Sequence, residues 1–196
     1  ARLLADKGVG EYIEAARAIH AANSEARCVL VGPRDSNPAA LPAGLLENAT
    51  ADGIIDWRGP LKDVRPAIAE CSGYVLPSYR EGTPRSTLEA MAMGRAVITT
   101  DAPGCRETVI EGRNGLMVPV RDSVALAAAM RRLADDADER RCMGEASLAL
   151  ARSKYDAKNV ASDVLAHFNL RRDKREVASP NREPDLQAGQ AKRAGE

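Results

Sequence analysis

Short apolar runs alternate along the chain with segments whose apolar residues recur at helical spacing. The runs predict buried strands at residues 27–31, 53–57, 74–76, 96–100 and 115–118. The segments between them predict helices at residues 8–23, 38–48, 63–71 and 84–93. Helices that alternate with apolar strands are typical of a parallel sheet covered on both faces. We therefore predict an α/β domain with a doubly wound parallel sheet.

The chain beyond residue 121 has a helical pattern, with predicted helices at residues 123–135, 138–152 and 157–170. Beyond residue 170 the sequence is rich in charges, proline, glycine and alanine, with almost no large apolar residues. Such a segment cannot bury enough surface to offset the entropy lost on ordering. The sequence thus predicts a domain over residues 1–170 and a disordered charged tail over residues 171–196.

Composition narrows the classes of partner. The formal net charge is zero, and one Trp, one Phe and four Tyr offer little surface for base stacking, so we expect no nucleic-acid partner. A basic cluster in the tail either stays solvated, which is favoured, or touches anionic lipid at a membrane surface. Its members are Arg171, Arg172, Lys174 and Arg175.

Cysteine usage and hydropathy indicate a cellular compartment. Four cysteines stand far apart without a CxxC pair, and only His20 and His167 could join them as metal ligands. Reduced structural thiols in a cytosolic protein are therefore favoured over a metal site. No apolar run approaches the roughly 20 residues of a membrane span, and the sequence shows no signal peptide. We predict a cytoplasmic protein, with the inner face of the cell membrane as a second possibility.

The segment REGTPRSTLEAMAMG at residues 80–94 carries the candidate chemistry. It sets Glu81 and Glu89 eight positions apart across a predicted helix start. Gly82 lets the backbone approach a ligand, Thr83 can cap the helix, and Pro84 fits its first turn. Free N–H groups and the helix dipole at such a start favour an anion such as a diphosphate. The two carboxylates could then bind sugar and ribose hydroxyls on either side.

Spacing alone leaves a second interpretation open, which is a surface helix with solvated acids. The flanking sequences favour ligand binding, because GYVLPS at residues 73–78 and RAVITT at residues 95–100 both predict short buried strands. In a strand–loop–helix–strand unit, ligands bind beyond the carboxyl ends of parallel strands. The loop at residues 79–83 would lie at that edge.

Five segments, taken in order, resemble the retaining glycosyltransferases of family 4, which have the GT-B architecture. The segments are ARLLADKG at residues 1–8, VLVG at 29–32, the Glu-x7-Glu segment at 79–94, DAPGCRETV at 101–109 and GRNGLMV at 112–118. The resemblance covers nearly everything from residue 1 to about residue 170. It implies a Rossmann-like domain, one half of a GT-B fold, that binds a nucleotide sugar.

The resemblance also implies roles for individual residues. Glu81 would contact hydroxyls of the transferred sugar and Glu89 would hold the ribose, with the loop between them completing the donor site through Gly82, Thr83, Pro84 and Arg85. Many relatives have Phe-Gly after the Glu-Gly pair, and this chain has Thr-Pro-Arg instead. In this loop the chain resembles bacterial enzymes that build capsule, O-antigen or lipid-linked oligosaccharides.

Cations near the start of the chain have a further implied role. By resemblance, Arg2 and Lys7 contact the donor diphosphate, and the alternative is a basic pair on a solvated helix start. Gly32 would border the donor cleft, unless it forms only a strand-to-loop turn. Arg58 would begin the base-binding loop through main-chain contacts. Gly104 is expected to permit a tight backbone turn.

A divalent metal is not expected. The acidic residues Asp135, Asp136 and Asp138 lie between C-terminal helices, far from the predicted ligand edge, and suit turns and caps. Fixed cations and a helix start can neutralise a leaving diphosphate without a metal. We therefore predict a metal-independent reaction without a cofactor.

The start of the sequence suggests a truncated domain. In the family, Arg2 and Leu3 follow the first strand, so that strand would be missing here and would leave an open slot in the sheet. The acceptor-binding half of the family would also be absent. We expect the isolated chain to be poorly stable and nearly inactive alone.

These observations predict the donor-binding half of a retaining glycosyltransferase of bacterial polysaccharide biosynthesis. It would move a hexosyl group from a nucleotide sugar, UDP-linked by preference, to a sugar or lipid-linked acceptor bound mainly by the other half. Two alternatives remain: a non-catalytic regulatory domain that binds nucleotide sugars, and a nucleotide-sugar epimerase of the same architecture.

Overall fold

The computed structural model describes residues 2–35, 37, 41–42 and 44–168. The predicted tail at residues 171–196 lies outside the described residues, as do positions 38–40 and 169–170 of two predicted helices. Contacts divide the chain into one unit over Ala1–Val160 and a second over Ala161–Glu196. The described part of the second unit is residues 161–168, of which residues 161–167 are helical.

Helices and strands alternate through the first unit. A short 3-10 turn at Ala5–Lys7 precedes the regular elements. In chain order these are α1 Val9–Ala22, β1 Val29–Leu30, α2 Leu45–Ala51, β2 Asp56–Trp57, α3 Arg65–Glu70, β3 Gly73–Leu76, α4 Arg85–Ala92, β4 Ala96–Thr100, β5 Gly115–Val118, α5 Ser123–Asp135, α6 Ala137–Lys154 and α7 Ala157–His167.

Every strand pair that the described residues form is parallel, which confirms the predicted α/β, Rossmann-like class. One sheet has the order β3-β4-β5, and in it Val97 pairs with both Tyr74 and Gly115. A second sheet contains only β1 and β2. The described residues contain no strand that joins the two sheets, although Leu3 forms a single parallel bridge with Arg34. Among the described residues, the parallel strands therefore form two sheets.

Both faces of β4 are covered, because all five of its residues are buried. Val97 packs on one side in a cluster with Met91, Val109 and Ala151. Ile98, the next residue along the strand, packs on the other side in a cluster that includes Leu126, Leu133 and Met143. Successive residues of a strand point to opposite faces, so the hydrophobic run of β4 reflects helices on both sides.

Several predicted boundaries were wrong, most clearly for α2. The helix predicted at residues 38–48 begins only at Leu45, after Pro42 and a left-handed Gly44 (φ 86°), and it ends at Ala51. Gly44 N–H donates to the Glu47 side chain over 3.1 Å, which anchors this later start. Strands β1 and β2 are also shorter than predicted, at two residues each. Helix α5 has the predicted bounds.

The prediction that the acidic residues near position 136 serve as caps is confirmed for Asp136. Its side chain accepts a 2.8 Å hydrogen bond from Glu139 N–H at the start of α6.

We expect the substitution Asp136→Ala to lower the free energy of unfolding by about 1 kcal/mol, because one amide of the first turn loses its acceptor. Chemical denaturation monitored by circular dichroism measures this loss. Asp138→Ala is the matched control, since Asp138 lies in the first turn of the same helix with a 90% exposed side chain. An equal loss in both variants would show that charge near the helix start, and not capping, is responsible.

Candidate functional site

A half-buried ion pair joins two of the predicted site residues at the carboxyl edge of the sheet. Lys7 Nζ lies 2.8 Å from Glu81 Oε1, and the two side chains are 17% and 18% exposed. Lys7 ends the short 3-10 turn before α1, and Glu81 lies in the loop that follows β3. The fold thus brings together a cation and a carboxylate that are 74 positions apart in sequence.

The Glu81 loop is packed between two other segments. On one side, Glu81 N–H donates to Pro103 O over 3.0 Å, and a Cβ at Gly104 would lie only 2.0 Å from the Glu81 carbonyl oxygen. On the other side, a Cβ at Gly8 would lie 2.0 Å from the carbonyl oxygen of Pro77. Gly104 has φ 83°, as its predicted tight turn requires. Glycine at both positions allows the close approach that holds Glu81 in place.

Helix α4 begins directly after this loop. Pro84 is its N-cap residue, with φ −72° and ψ 106°, and no side chain caps the helix start. The predictions that Thr83 caps this helix and that Pro84 lies in its first turn were therefore wrong. Pro84 cannot donate a backbone hydrogen bond, but its carbonyl accepts from Thr87 N–H and Leu88 N–H, which suits the N-cap position.

The start of α4 leaves amides available to a ligand. Among the described residues, Arg85 N–H and Ser86 N–H have no hydrogen-bond acceptor. Unpaired amides at a helix start, together with the helix dipole, favour an anion. Gly82, Thr83 and Arg85 are exposed beside this start, so the predicted donor-binding loop is open to solvent.

A half-buried tyrosine, Tyr74, lies within electrostatic reach of both glutamates. Tyr74 O–H donates to Ser86 Oγ over 2.7 Å, which ties β3 to the first turn of α4. Burial raises the pKa of Tyr74 to about 12, and the charges of Glu89 and Glu81 contribute to the rise. Both carboxylates therefore lie within electrostatic reach of one phenol. Glu89 itself is exposed on α4.

Arg2 lies apart from the Lys7–Glu81 pair. Its guanidinium is 3.5 Å from Asp35, and its side chain is 66% exposed. A single long contact at the surface restrains an arginine weakly. The structure therefore does not join Arg2 to the other predicted diphosphate contacts.

Gly32 and Arg58 lie just after β1 and β2. Gly32 N–H donates to Gly59 O over 2.9 Å, and Arg58 N–H donates to Leu30 O over 3.0 Å. The Arg58 guanidinium binds Asp56 and Glu70, at 3.0 and 2.8 Å. The amides of Gly32 and Arg58 and the Arg58 guanidinium therefore all have partners within the domain.

Three residues outside the predicted set contribute to this edge. Tyr79 follows β3 and reaches both Glu11 of α1 and Arg121 after β5. The position of Tyr79 directly after an apolar strand is a sequence signal for the ligand edge. Glu11 and Arg121 carry no comparable signal, because each belongs to another segment and reaches Tyr79 only through the fold.

Cys105 lies beneath the site as a neutral thiol. It is fully buried, and its sulfur is 3.8 Å from Ser78 O. Burial raises the pKa of the thiol, so the reactive thiolate is disfavoured. All four cysteines are free, in agreement with the predicted reduced thiols.

The described residues contain no cluster of three or more His, Cys, Asp or Glu side chains suited to a metal ion. An open cavity of about 340 Å³ lies near the amino ends of β1 and β2, beside His20, Cys28 and Ile55. That edge is opposite to the one that carries Glu81. Within the described part of the chain, no helix combines the length and the hydropathy needed to cross a bilayer.

Comparison with known proteins points to one family. A family model described as "Glycosyl transferases group 1" matches residues 1–136. The chain is 32% identical over 167 residues to the N,N'-diacetylbacillosaminyl-diphospho-undecaprenol alpha-1,3-N-acetylgalactosaminyltransferase of Campylobacter jejuni. This match covers 85% of the chain but only 39% of that relative. The chain thus spans about two-fifths of the relative's length.

Solved structures agree in fold. The C-terminal domain of a glycosyl transferase group 1 family protein (LpcC) from Francisella tularensis has a TM-score of 0.71 and 26% identity, over 80% of this chain and 83% of that domain. Anabaena Alr3699/HepE in complex with UDP has a TM-score of 0.74 and 20% identity, over 86% of this chain and 47% of that protein.

Proposed function

The chain belongs to the group 1 glycosyl transferases, and from this premise we propose that it is the donor-binding half of a hexosyltransferase. The donor would be a UDP-sugar, and the acceptor a sugar or a lipid-linked saccharide in bacterial polysaccharide biosynthesis. One observation carries the proposal: the half-buried Lys7–Glu81 pair lies beside the open start of α4. The structure of the Anabaena relative with UDP supports the choice of nucleotide.

Each part of a nucleotide sugar has a matching group at this edge. The diphosphate would accept from the amides of Arg85 and Ser86 and from Lys7 Nζ. Glu81 would accept hydrogen bonds from the sugar hydroxyls, and the exposed Glu89 would accept hydrogen bonds from the ribose hydroxyls. Arg2, which is weakly held and largely exposed, could turn from Asp35 to the diphosphate at small cost.

The same groups would stabilise the transition state. When the bond between the sugar and the diphosphate breaks, negative charge grows on the leaving phosphate. Fixed donors aimed at developing charge lower the barrier because they need no rearrangement during the reaction. We propose that Lys7 and the start of α4 take this role, so that transfer is metal-independent and proceeds without a cofactor. Retention of configuration at the sugar is part of the same proposal.

The acceptor would be bound mainly by a second half of the enzyme, in keeping with the longer relative. We propose a cytoplasmic enzyme that meets a lipid-linked acceptor at the inner face of the membrane. We propose no nucleic-acid partner. A regulatory domain that binds nucleotide sugars without transfer, or an epimerase, would use the same fold but give different products.

Calorimetric titration of the full-length protein with UDP-, GDP- and ADP-sugars tests the proposal. We expect selective binding of UDP-sugars, and a loss of affinity of roughly 30-fold or more in Glu89→Ala, because hydroxyl bonds to a charged acceptor are strong. Glu14→Ala is the control, since Glu14 is exposed on α1.

Three results would contradict the proposal. Equal affinity for all three nucleotide sugars would contradict the choice of UDP, and binding of a UDP-sugar without transfer to any acceptor would favour the regulatory alternative. Epimerised sugar in the product analysis, without transfer to an acceptor, would favour the epimerase.

A further inference from the structure

Tyr79 links three segments at the candidate site. Its phenol O–H donates to Glu11 Oε1 of α1 over 2.5 Å. Its backbone N–H donates to Asp6 O over 2.9 Å, next to Lys7. The guanidinium carbon of Arg121 lies 4.8 Å from the centre of the tyrosine ring, which is a cation–π contact. Tyr79 therefore joins the Glu81 loop to α1 and to the loop after β5.

Arg121 holds an unfavourable backbone conformation at this contact. Its φ of 59° makes it the single non-glycine residue with positive φ in the described part of the chain. A residue with a Cβ is strained there, and glycine would adopt this conformation without strain. Strain of this kind persists where surrounding contacts hold the residue, often at functional sites.

The contacts of Tyr79 lie next to the ion pair. Glu81 is two positions after Tyr79, and Lys7 directly follows Asp6, whose carbonyl Tyr79 contacts. Two connections thus join the same pair of segments, one through Tyr79 and one through Lys7 and Glu81. Burial, and then the hydrogen bond to Glu11, raise the pKa of Tyr79, so the phenol remains a donor at neutral pH.

We propose that Glu11, Tyr79 and Arg121 form a positioning clamp that sets Glu81 against the sugar of the donor. The Arg121 guanidinium contacts the tyrosine ring, and Glu11 accepts a hydrogen bond from the tyrosine hydroxyl. The clamp restricts the loop that presents Glu81, while the start of α4 and Glu89 remain independent of it. This inference rests on the proposed function, because it assigns to Glu81 the sugar part of the donor.

The clamp predicts a selective loss of affinity. In Arg121→Gly, we expect UDP-glucose binding to weaken roughly three- to tenfold, since a contact of cation–π strength is removed. UDP binding should change less than about twofold, because the diphosphate and the ribose have other partners. The melting temperature should not fall appreciably, because glycine relieves the strained φ. A merely structural role for Arg121 would instead lower both affinities and the melting temperature together.

Further variants isolate the contacts. Tyr79→Phe removes the phenol hydroxyl, and with it the bond to Glu11, and should lower the UDP-glucose affinity by a similar factor. Arg121→Lys keeps a cation over the ring and should restore part of the loss. Arg113→Gly is the matched control, because Arg113 is an exposed arginine in a turn outside the clamp, and its affinities should equal those of the unaltered protein.

Hydrogen exchange of the ligand-free protein separates this inference from the proposed function. In Arg121→Gly and Tyr79→Phe, the amides of Tyr79 and Glu81, which donate to Asp6 O and Pro103 O, should exchange faster than in the unaltered protein. Unchanged exchange there, or an unchanged ratio of UDP-glucose to UDP affinity, would overturn the clamp. If the unaltered protein bound neither ligand while exchange rose as expected, the proposed function would fail and the clamp would stand only as a restraint on the loop.

Discussion

Replacing Gly104 with alanine is expected to lower the free energy of unfolding by at least about 3 kcal/mol and to abolish nucleotide-sugar binding. The added Cβ would lie 2.0 Å from the carbonyl oxygen of Glu81 and 2.1 Å from that of Gly82. Both obstacles are backbone atoms, so no side chain can turn away to relieve the collision. The Glu81 loop must therefore move, and Glu81 moves with it.

Gly112→Ala is the matched control for the backbone conformation. Gly112 has φ 70°, close to the 83° of Gly104, but a Cβ there would meet nothing within 4 Å. Its substitution should cost only the strain of a left-handed alanine, about 1 kcal/mol. Urea denaturation of the two variants, with calorimetric titration of UDP-glucose, measures the difference. If both variants lost equal stability and Gly104→Ala still bound the donor, close packing against Glu81 would not matter.

Replacing Lys7 with alanine is expected to lower kcat/KM for sugar transfer about 100- to 1000-fold. The change removes a cation from the leaving diphosphate, and it also leaves the half-buried Glu81 carboxylate without its partner at 2.8 Å. Glu81→Ala should reduce the rate as well, because the sugar loses its acceptor. Initial rates at varied concentrations of a UDP-sugar donor measure kcat/KM for Lys7→Ala and for Glu81→Ala.

A double-mutant cycle for stability tests the ion pair apart from catalysis. We expect a coupling of about 1–3 kcal/mol between Lys7 and Glu81. The exposed pair Arg17–Asp52, at 3.2 Å with side chains 37% and 55% exposed, should show at most about 0.5 kcal/mol. Equal couplings in the two pairs would mean that water screens the Lys7–Glu81 contact as it screens a surface pair.

Prediction of the elements succeeded where local signals agreed. The run AVITT of β4 and the helical spacing of apolar residues in α5 led to bounds that the structure reproduces. It failed at boundaries set by the backbone conformation of a single residue, which the spacing of apolar residues does not show. The start of α2 depends on the left-handed Gly44, and α4 begins at Arg85 because Pro84, and not Thr83, takes the N-cap position.

The candidate site was predicted in part. The segment at residues 80–94 indicated Glu81 and Glu89, and the resemblance added Lys7. Only the fold shows that Lys7 pairs with Glu81. Arg2 and Arg58 instead bind carboxylates within the domain. Glu11 and Arg121 could not be found from sequence, since the pattern of a single segment does not show which distant residue it will contact.

The sequence alone determined the fold class, the order of helices and strands, and the segment that lies at the carboxyl edge of the sheet. These properties follow from local periodicity and from residue types such as glycine and proline, which act through their own backbone. Only the tertiary structure decided that Gly8 and Gly104 enclose the Glu81 loop and that Lys7 meets Glu81. Those contacts join residues far apart in the chain, and their geometry depends on how the whole core packs.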